Sequence, residues 1–326
     1  MISSLQQQEQ KIWKLKSVSS KDEQRTSVVT ASGTEVFDAE SILEEYTKEF
    51  EQCLSHRKIN DYLSTYQETT HKLLKVCLES AKQRQLADWS TQEVGTVFRS
   101  FANGTSHGMD MFPPEIFKRC GSRLLQAITN ILNSIKNTQE IPRSWIDVLI
   151  ITFFKNKGSR KMLKYYRGIF LTSILSKIME KLIKSRVKDV LDTINPLQCG
   201  GRCNRSTCDC TVILRCLIDH AKYLNRTLYL TLYDYQTCFD SHWLEDCIIS
   251  LWNLGIKNQM LLLIYKMNES SKVIVKSPYG PTRQFACPHI VKQGTVLGST
   301  LCGSTTAELC SELNHGGASV LSESVC

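Results

Sequence analysis

The chain has 326 residues, 42% of them apolar, and a formal net charge of +8. That is enough material to bury one large or two smaller cores, and the longest apolar run, Ile146 to Phe154, contains Asp147 and is far too short to span a bilayer. With no apolar leader at the start, the expectation is a soluble intracellular protein with no membrane partner, whose fourteen cysteines stay reduced.

Charge is concentrated. Between Lys155 and Lys188 stand eleven Lys/Arg against one acid, Glu180, so this stretch alone exceeds the excess of the whole chain. Such density suits a polyanion, either nucleic acid or a triphosphate, and suits a solvated helix face about as well.

In chain order, the first ~35 residues are polar, rich in Gln, Lys and Ser, and without sustained period, as in a disordered tail or linker. From Phe37 to Leu54 the pattern turns helical, with Ile42, Leu43, Tyr46 and Phe50 on one side. A second helical stretch runs from about Tyr62 to Leu86, and Ser90 with Glu93 forms a capping-box pattern that opens a third. Gly104, Gly108 and Pro113-Pro114 make Asn103–Pro114 a loop, with Pro114 at the start of a helix that carries Ile116, Phe117, Leu124, Leu125, Ile128, Ile131, Leu132 and Ile135. Val148–Phe154 is β-branched and aromatic, a buried strand. Ser173–Leu191 is a strong helix, apolar along Ile174, Ile178, Met179, Leu182, Ile183 and Val187, with Lys177, Lys181, Lys184 and Lys188 on its other face.

Leu228–Tyr233 alternates Leu with Tyr or Thr and is expected to be a strand ending at Asp234. A helix follows from about His242, capped by Ser241 and stopped at Gly255. Lys272–Phe285 is expected to be a hairpin turning at Ser277–Gly280, with a further helix after Gln293-Gly294. Helices dominate early and strands mix in later, so the fold class is α+β. Cys199, Cys203, Cys208, Cys210 and Cys216 crowd together, but no pair has CxxC spacing, and a structural zinc site is not expected among them.

A strand that delivers a carboxylate at its C-terminal end is one way to hold a metal-binding acid rigidly. Alone, Asp234 reads equally as a turn or cap residue. Read together, several segments are more specific. Asp234-Tyr235-x-x-x-Phe239-Asp240 resembles the first palm motif of reverse transcriptases from non-LTR (LINE-type) retrotransposons. Pro142-x-x-Trp145, Phe154-Lys155-x-Lys157-Gly158, Tyr166-Arg167-Gly168-Ile169 and Ser176–Ile183 resemble the family's finger motifs. Gly108-x-Asp110 with Pro114-Glu115-x-x-Lys118 resembles its additional N-terminal finger motif. Gln198–Arg202 with Arg205-Ser206-Thr207-x-Asp209 resembles a further block, and Gln293-Gly294-x-x-Leu297-Gly298 the second palm motif. Gly201, Thr237 and Ser299 depart from the family pattern, which usually has Phe, Lys and Pro there.

The resemblance implies a right-hand polymerase with fingers and a partial palm, an incomplete antiparallel palm sheet flanked by helices. It divides the chain into a tail (1–36), a helical linker (37–89), fingers (90–227) and partial palm (228–326). It implies RNA-templated DNA synthesis with magnesium as cofactor, and an RNA template, a DNA primer and deoxynucleoside triphosphates as partners. Asp234 becomes the catalytic metal ligand, assisted by the backbone carbonyl of Tyr235. Lys155, Lys157 and Arg167 clamp the triphosphate. Phe239 takes the place of the plate under the sugar, its alternative being an ordinary core Phe. Gln293 and Gly294 line the nucleotide, and Gln198 and Arg202 contact template, Arg202 being equally suited to a structural role. No Asp-Asp pair occurs in the sequence, so the second catalytic motif is absent and the chain is expected to be truncated and inactive as it stands. A non-catalytic nucleic-acid-binding module, or a scaffold binding protein at an exposed palm edge, are the alternatives.

Overall fold

The computed structural model describes residues 27–55, 61–194, 198–202, 204–232, 238–288 and 291–315. Residues 27–36, expected to prolong the polar tail, instead form an antiparallel hairpin, β1 (Val28–Val29) with β2 (Glu35–Val36). Its cause is tertiary. Val28 is buried, the Val29 N–H donates to Lys161 O at 2.9 Å, and Lys161 pairs with Glu35.

Helix α1 (Ala39–Ser55) follows, burying Ile42, Tyr46 and Phe50 at the expected spacing, then α2 (Asp61–Lys82). Helix α3 (Thr91–Arg99) opens with the reciprocal Ser90–Glu93 capping box. The helix expected from Pro114 onward is divided into α4 (Glu115–Lys118) and α5 (Ser122–Thr138), because Gly121 at φ −74°, ψ 167° leaves helical geometry. After a single turn, α6 (Arg143–Ile146), the chain enters β3 (Val148–Phe154) and β4 (Tyr166–Leu171). Helix α7 (Ile174–Leu191), N-capped by Ser173, buries the apolar stripe read from the sequence. Then come α8 (Thr207–Tyr223), α9 (Cys238–Ser241), α10 (Leu244–Asn253) and α11 (Gln259–Asn268). Strands β5 (Ser271–Ser277), β6 (Gly280–Pro281) and β7 (Phe285–Cys287) precede α12 (Gly298–His315).

The expected 272–285 hairpin is present, with Ser277 facing Gly280 across the turn. The main sheet runs β4-β3-β5-β6, with β7 also on β5. All pairs are antiparallel except β3–β5, which is parallel, Val148 beside Val273. Helix α1 covers one face, where Phe50, Ile150, Tyr166, Phe170, Val273 and Phe285 form a core. A larger core gathers α2, α3, α5, α7, α10 and α11 around Met179, Leu182 and Leu261. The class is α+β, as expected.

The strand expected at Leu228–Tyr233 is not formed over 228–232. Tyr229 is 90% and Leu232 83% exposed. Alternation of apolar residues makes a strand only where a neighbour completes the ladder, and no described residue pairs with this segment.

Candidate functional site

The register of β3 and β4 sets Phe153 opposite Arg167 and Phe154 opposite Tyr166. The Lys155 N–H prolongs the ladder by donating to Tyr165 O at 2.9 Å. Side chains alternate across a sheet, so Phe154, Tyr166 and Phe170 point to the α1 face, while Phe153, Lys155, Arg167 and Ile169 share the other. Arg167 and Lys157 are exposed; Lys155 is half-buried, its Nζ donating to Lys164 O at 3.3 Å.

Gln293 and Gly294 dock on this hairpin. The Phe170 N–H donates to Gln293 O at 2.8 Å. Gly294 has φ +96°, and a Cβ there would stand 2.8 Å from Ile169 Cγ2. A side chain is excluded twice, by backbone conformation and by space. Lys155 and Arg167, with Lys157 in the adjoining turn, therefore lie at the turn end of the β3–β4 hairpin, while Gln293 and Gly294 dock further along β4, at Ile169 and Phe170.

Gln198, Arg202 and Phe239 belong to a different neighbourhood. Gln198 is buried, and its Nε2 donates to Gly303 O at 2.7 Å and Thr306 Oγ1 at 2.9 Å in α12. Arg202 Nη1 donates to Ile194 O at 3.2 Å and Gln198 O at 3.4 Å, closing its own loop. Phe239 is 7% exposed and part of the larger core. Asp234 and Tyr235 lie outside the described residues.

On the lysine face of α7, Lys188 is exposed, but the other three lysines are bonded. Lys177 Nζ donates to Ser106 O at 3.0 Å and Lys184 Nζ to Val296 O at 3.4 Å. Lys181 Nζ bonds Ser100 Oγ at 2.9 Å and lies 4.1 Å from the centre of the Phe101 ring. Burial pulls the Lys177 ammonium below the usual lysine range, against the pull of Asp110 and Glu180. These lysines fasten the 100–106 loop and the 292–298 segment to the helix. Gly108 and Asp110 complete the seam: a Cβ on Gly108 would meet Thr172 O at 2.3 Å, and Asp110 Oδ2 accepts the Ile174 N–H at 2.7 Å. The sequence motif at 108–110 is thus, physically, a close backbone approach followed by a helix cap.

Two ionisable groups are buried between this seam and the sheet. Glu180 accepts the Leu297 N–H at 3.1 Å; burial raises its pKa, opposed by that hydrogen bond and by the charge of Lys292. Lys292 donates to Met267 O at 2.9 Å, and burial pulls it down to about 8.

Magnesium takes hard oxygen ligands. Among the described residues the one cluster of three or more His, Cys, Asp or Glu with metal-ligating geometry is Cys238, His242 and Cys302, a sulfur and imidazole set unsuited to that ion. The residues assigned to magnesium, Asp234 and Tyr235, lie outside the described residues. Reading the sequence for cysteine pairs missed this cluster because Cys302 is remote from the other two; the i, i+4 spacing of Cys238 and His242 was the local signal.

Residues 155–321 match the family described as reverse transcriptase (RNA-dependent DNA polymerase). The chain is 27% identical over 226 residues to a probable RNA-directed DNA polymerase from transposon BS of Drosophila melanogaster, covering 67% of this chain and 24% of that protein. It is 25% identical over 229 residues to the transposon TX1 uncharacterized 149 kDa protein of Xenopus laevis, covering 70% of this chain and 17% of that one. The chain belongs to the reverse transcriptase family, and it spans a quarter or less of the length of these relatives. No described helix is long and apolar enough to cross a membrane.

Proposed function

We propose that the chain supplies the fingers, over about 90–227, and the first part of the palm, from 228, of an RNA-directed DNA polymerase of a non-LTR retrotransposon. Its partners are an RNA template, a DNA primer and deoxynucleoside triphosphates, with magnesium as the ion. The observation that carries this is the shared face of the β3–β4 hairpin, from which Lys155 and Arg167 project beside exposed Lys157 and on which Gly294 packs against Ile169. Exposed Lys157 and Arg167, with half-buried Lys155 beside them, attract a triphosphate or nucleic-acid backbone, and a guanidinium adds bidentate recognition. Gly294 lets the 293–294 backbone pack directly on Ile169 and Phe170. Asp234 with the Tyr235 carbonyl carries the metal assignment on sequence resemblance alone.

The test is RNA affinity as a function of salt. Each phosphate contact contributes about 0.7 to the log–log slope for a single strand. Replacing Lys155, Lys157 and Arg167 together by Ala should lower the slope by roughly 2. An unchanged slope would put the binding face elsewhere. A second reading, a non-catalytic scaffold, draws on the exposed Tyr229, Leu230 and Leu232; salt-insensitive capture of protein, with no RNA binding, would favour it.

A further inference from the structure

Next to Phe239, and away from the basic hairpin, two thiols and an imidazole converge. Cys238 lies at the start of α9 and His242 just past its end, four residues on. Cys302 enters from α12, at 1% exposure, while Cys238 and His242 are half-buried. Cys238 Sγ and Cys302 Sγ are 3.2 Å apart, and His242 Nδ1 lies 3.8 Å from the first and 3.7 Å from the second.

These spacings can be compared with a metal-bound triangle. Two sulfurs at about 2.3 Å from a tetrahedral Zn²⁺ stand about 3.8 Å apart, and a sulfur and an imidazole nitrogen stand about 3.6 Å apart. The two sulfur–nitrogen edges already match, and the sulfur–sulfur edge needs to open by about 0.6 Å. The donors are soft or borderline, which selects zinc over magnesium or calcium.

We propose that Cys238, His242 and Cys302 form a zinc site that pins α9, which contains the last residues of the Asp234–Asp240 motif, to α12. Binding releases the two thiol protons to solvent and leaves both sulfurs as thiolates. His242 Nδ1 also lies 2.6 Å from Cys238 O. Ligation through Nδ1 moves its proton to Nε2 and gives up that contact, so the imidazole stays neutral. Three protein ligands leave a fourth position for water. The consequence is mechanical: residues 238–242 and the first turns of α12, the helix that holds Gln198, become one unit.

The experiment uses the full chain, reduced and freed of metal, with Co²⁺ as a spectroscopic probe and Zn²⁺ as competitor. One Co²⁺ per chain should bind with thiolate-to-cobalt charge-transfer absorption and the strong visible bands of a tetrahedral site, displaced by one equivalent of Zn²⁺. Cys302→Ala and Cys238→Ser should each weaken binding at least about tenfold, and the pair together should remove the bands. Because Cys302 is in the core, His242→Gln serves as the variant least disruptive to packing, and far-ultraviolet circular dichroism checks each fold. Cys208→Ser with Cys216→Ser, exposed thiols outside the cluster, should leave the bands unchanged. Bands that survive loss of Cys238 and Cys302, or that vanish with Cys208 and Cys216, overturn the proposal. So does a reduced chain that takes up no metal and merely forms a Cys238–Cys302 disulfide in air.

Discussion

The carboxylate of Asp110 accepts the backbone N–H of Ile174 at 2.7 Å, so a residue from the loop before α4 caps the helix that organises the larger core. An acceptor with negative charge at a helix N-terminus contributes through both the hydrogen bond and the helix dipole. Asp110→Ala should lower stability by about 1–2 kcal/mol in chemical denaturation, and Asp110→Asn, which keeps an acceptor, by less. Equal losses would show that charge alone matters there.

Gly108 should tolerate no side chain. Its Cβ would overlap the Thr172 carbonyl, a backbone atom with no rotamer to yield. Gly108→Ala should cost about 1–3 kcal/mol and should loosen the 100–114 loop in hydrogen exchange. A stable variant with unchanged protection would mean that the loop does not pack on α7 in solution.

Lys292 makes stability depend on pH in the alkaline range. Its folded pKa is lowered from 10.5 to about 8, so between those values the unfolded chain holds a proton that the folded one has released. Stability contributed by this group therefore rises with pH through that window, by up to about 3 kcal/mol. Denaturation midpoints followed from pH 7.5 to 10.5 in the wild type and in Lys292→Met isolate it: the difference between the two should change across the window in favour of the wild type. A constant difference would show that Lys292 is hydrated.

Phe239 distinguishes two roles. It lies in the larger core at 7% exposure, and truncating a buried Phe typically costs about 3–5 kcal/mol. Phe239→Ala should therefore lower the thermal midpoint, whereas Phe239→Leu should be mild. If Phe239→Ala instead leaves stability unchanged and relaxes discrimination against ribonucleotides in an active polymerase that contains this segment, the plate role is the correct one.

Much of the fold was legible where local pattern and tertiary demand agree. Val148–Phe154 is read from its β-branched run because both its neighbours in the sheet bury it. The apolar stripe and Ser173 cap of α7 follow from period and capping chemistry alone. What failed needed knowledge of distant partners. The hairpin at 28–36 exists because Val29 meets Lys161, and 228–232 lacks strand structure because nothing described pairs with it. The α7 lysines suited a polyanion face and a solvated face equally, because a helical wheel does not reveal that loops will bond Lys177, Lys181 and Lys184. Of the site, Lys155 and Arg167 share one face of the hairpin, and the docking of the Gln293 backbone on Phe170, further along β4, was not legible in the sequence.

The parallel pairing of β3 with β5 fixes an order of events during synthesis. Val148 pairs with Val273, about 125 residues later. At roughly 5–20 residues per second, β5 leaves the ribosome about 6–25 s after β3. The β3–β4 hairpin is local and can close in that interval, but β3 must wait with its other edge bare, a row of N–H and C=O groups open to any passing strand. The nascent chain thus carries an adhesive edge along the hairpin that bears Lys155 and Arg167, and slowing translation between residues 171 and 271 should raise aggregation more than slowing it after residue 287.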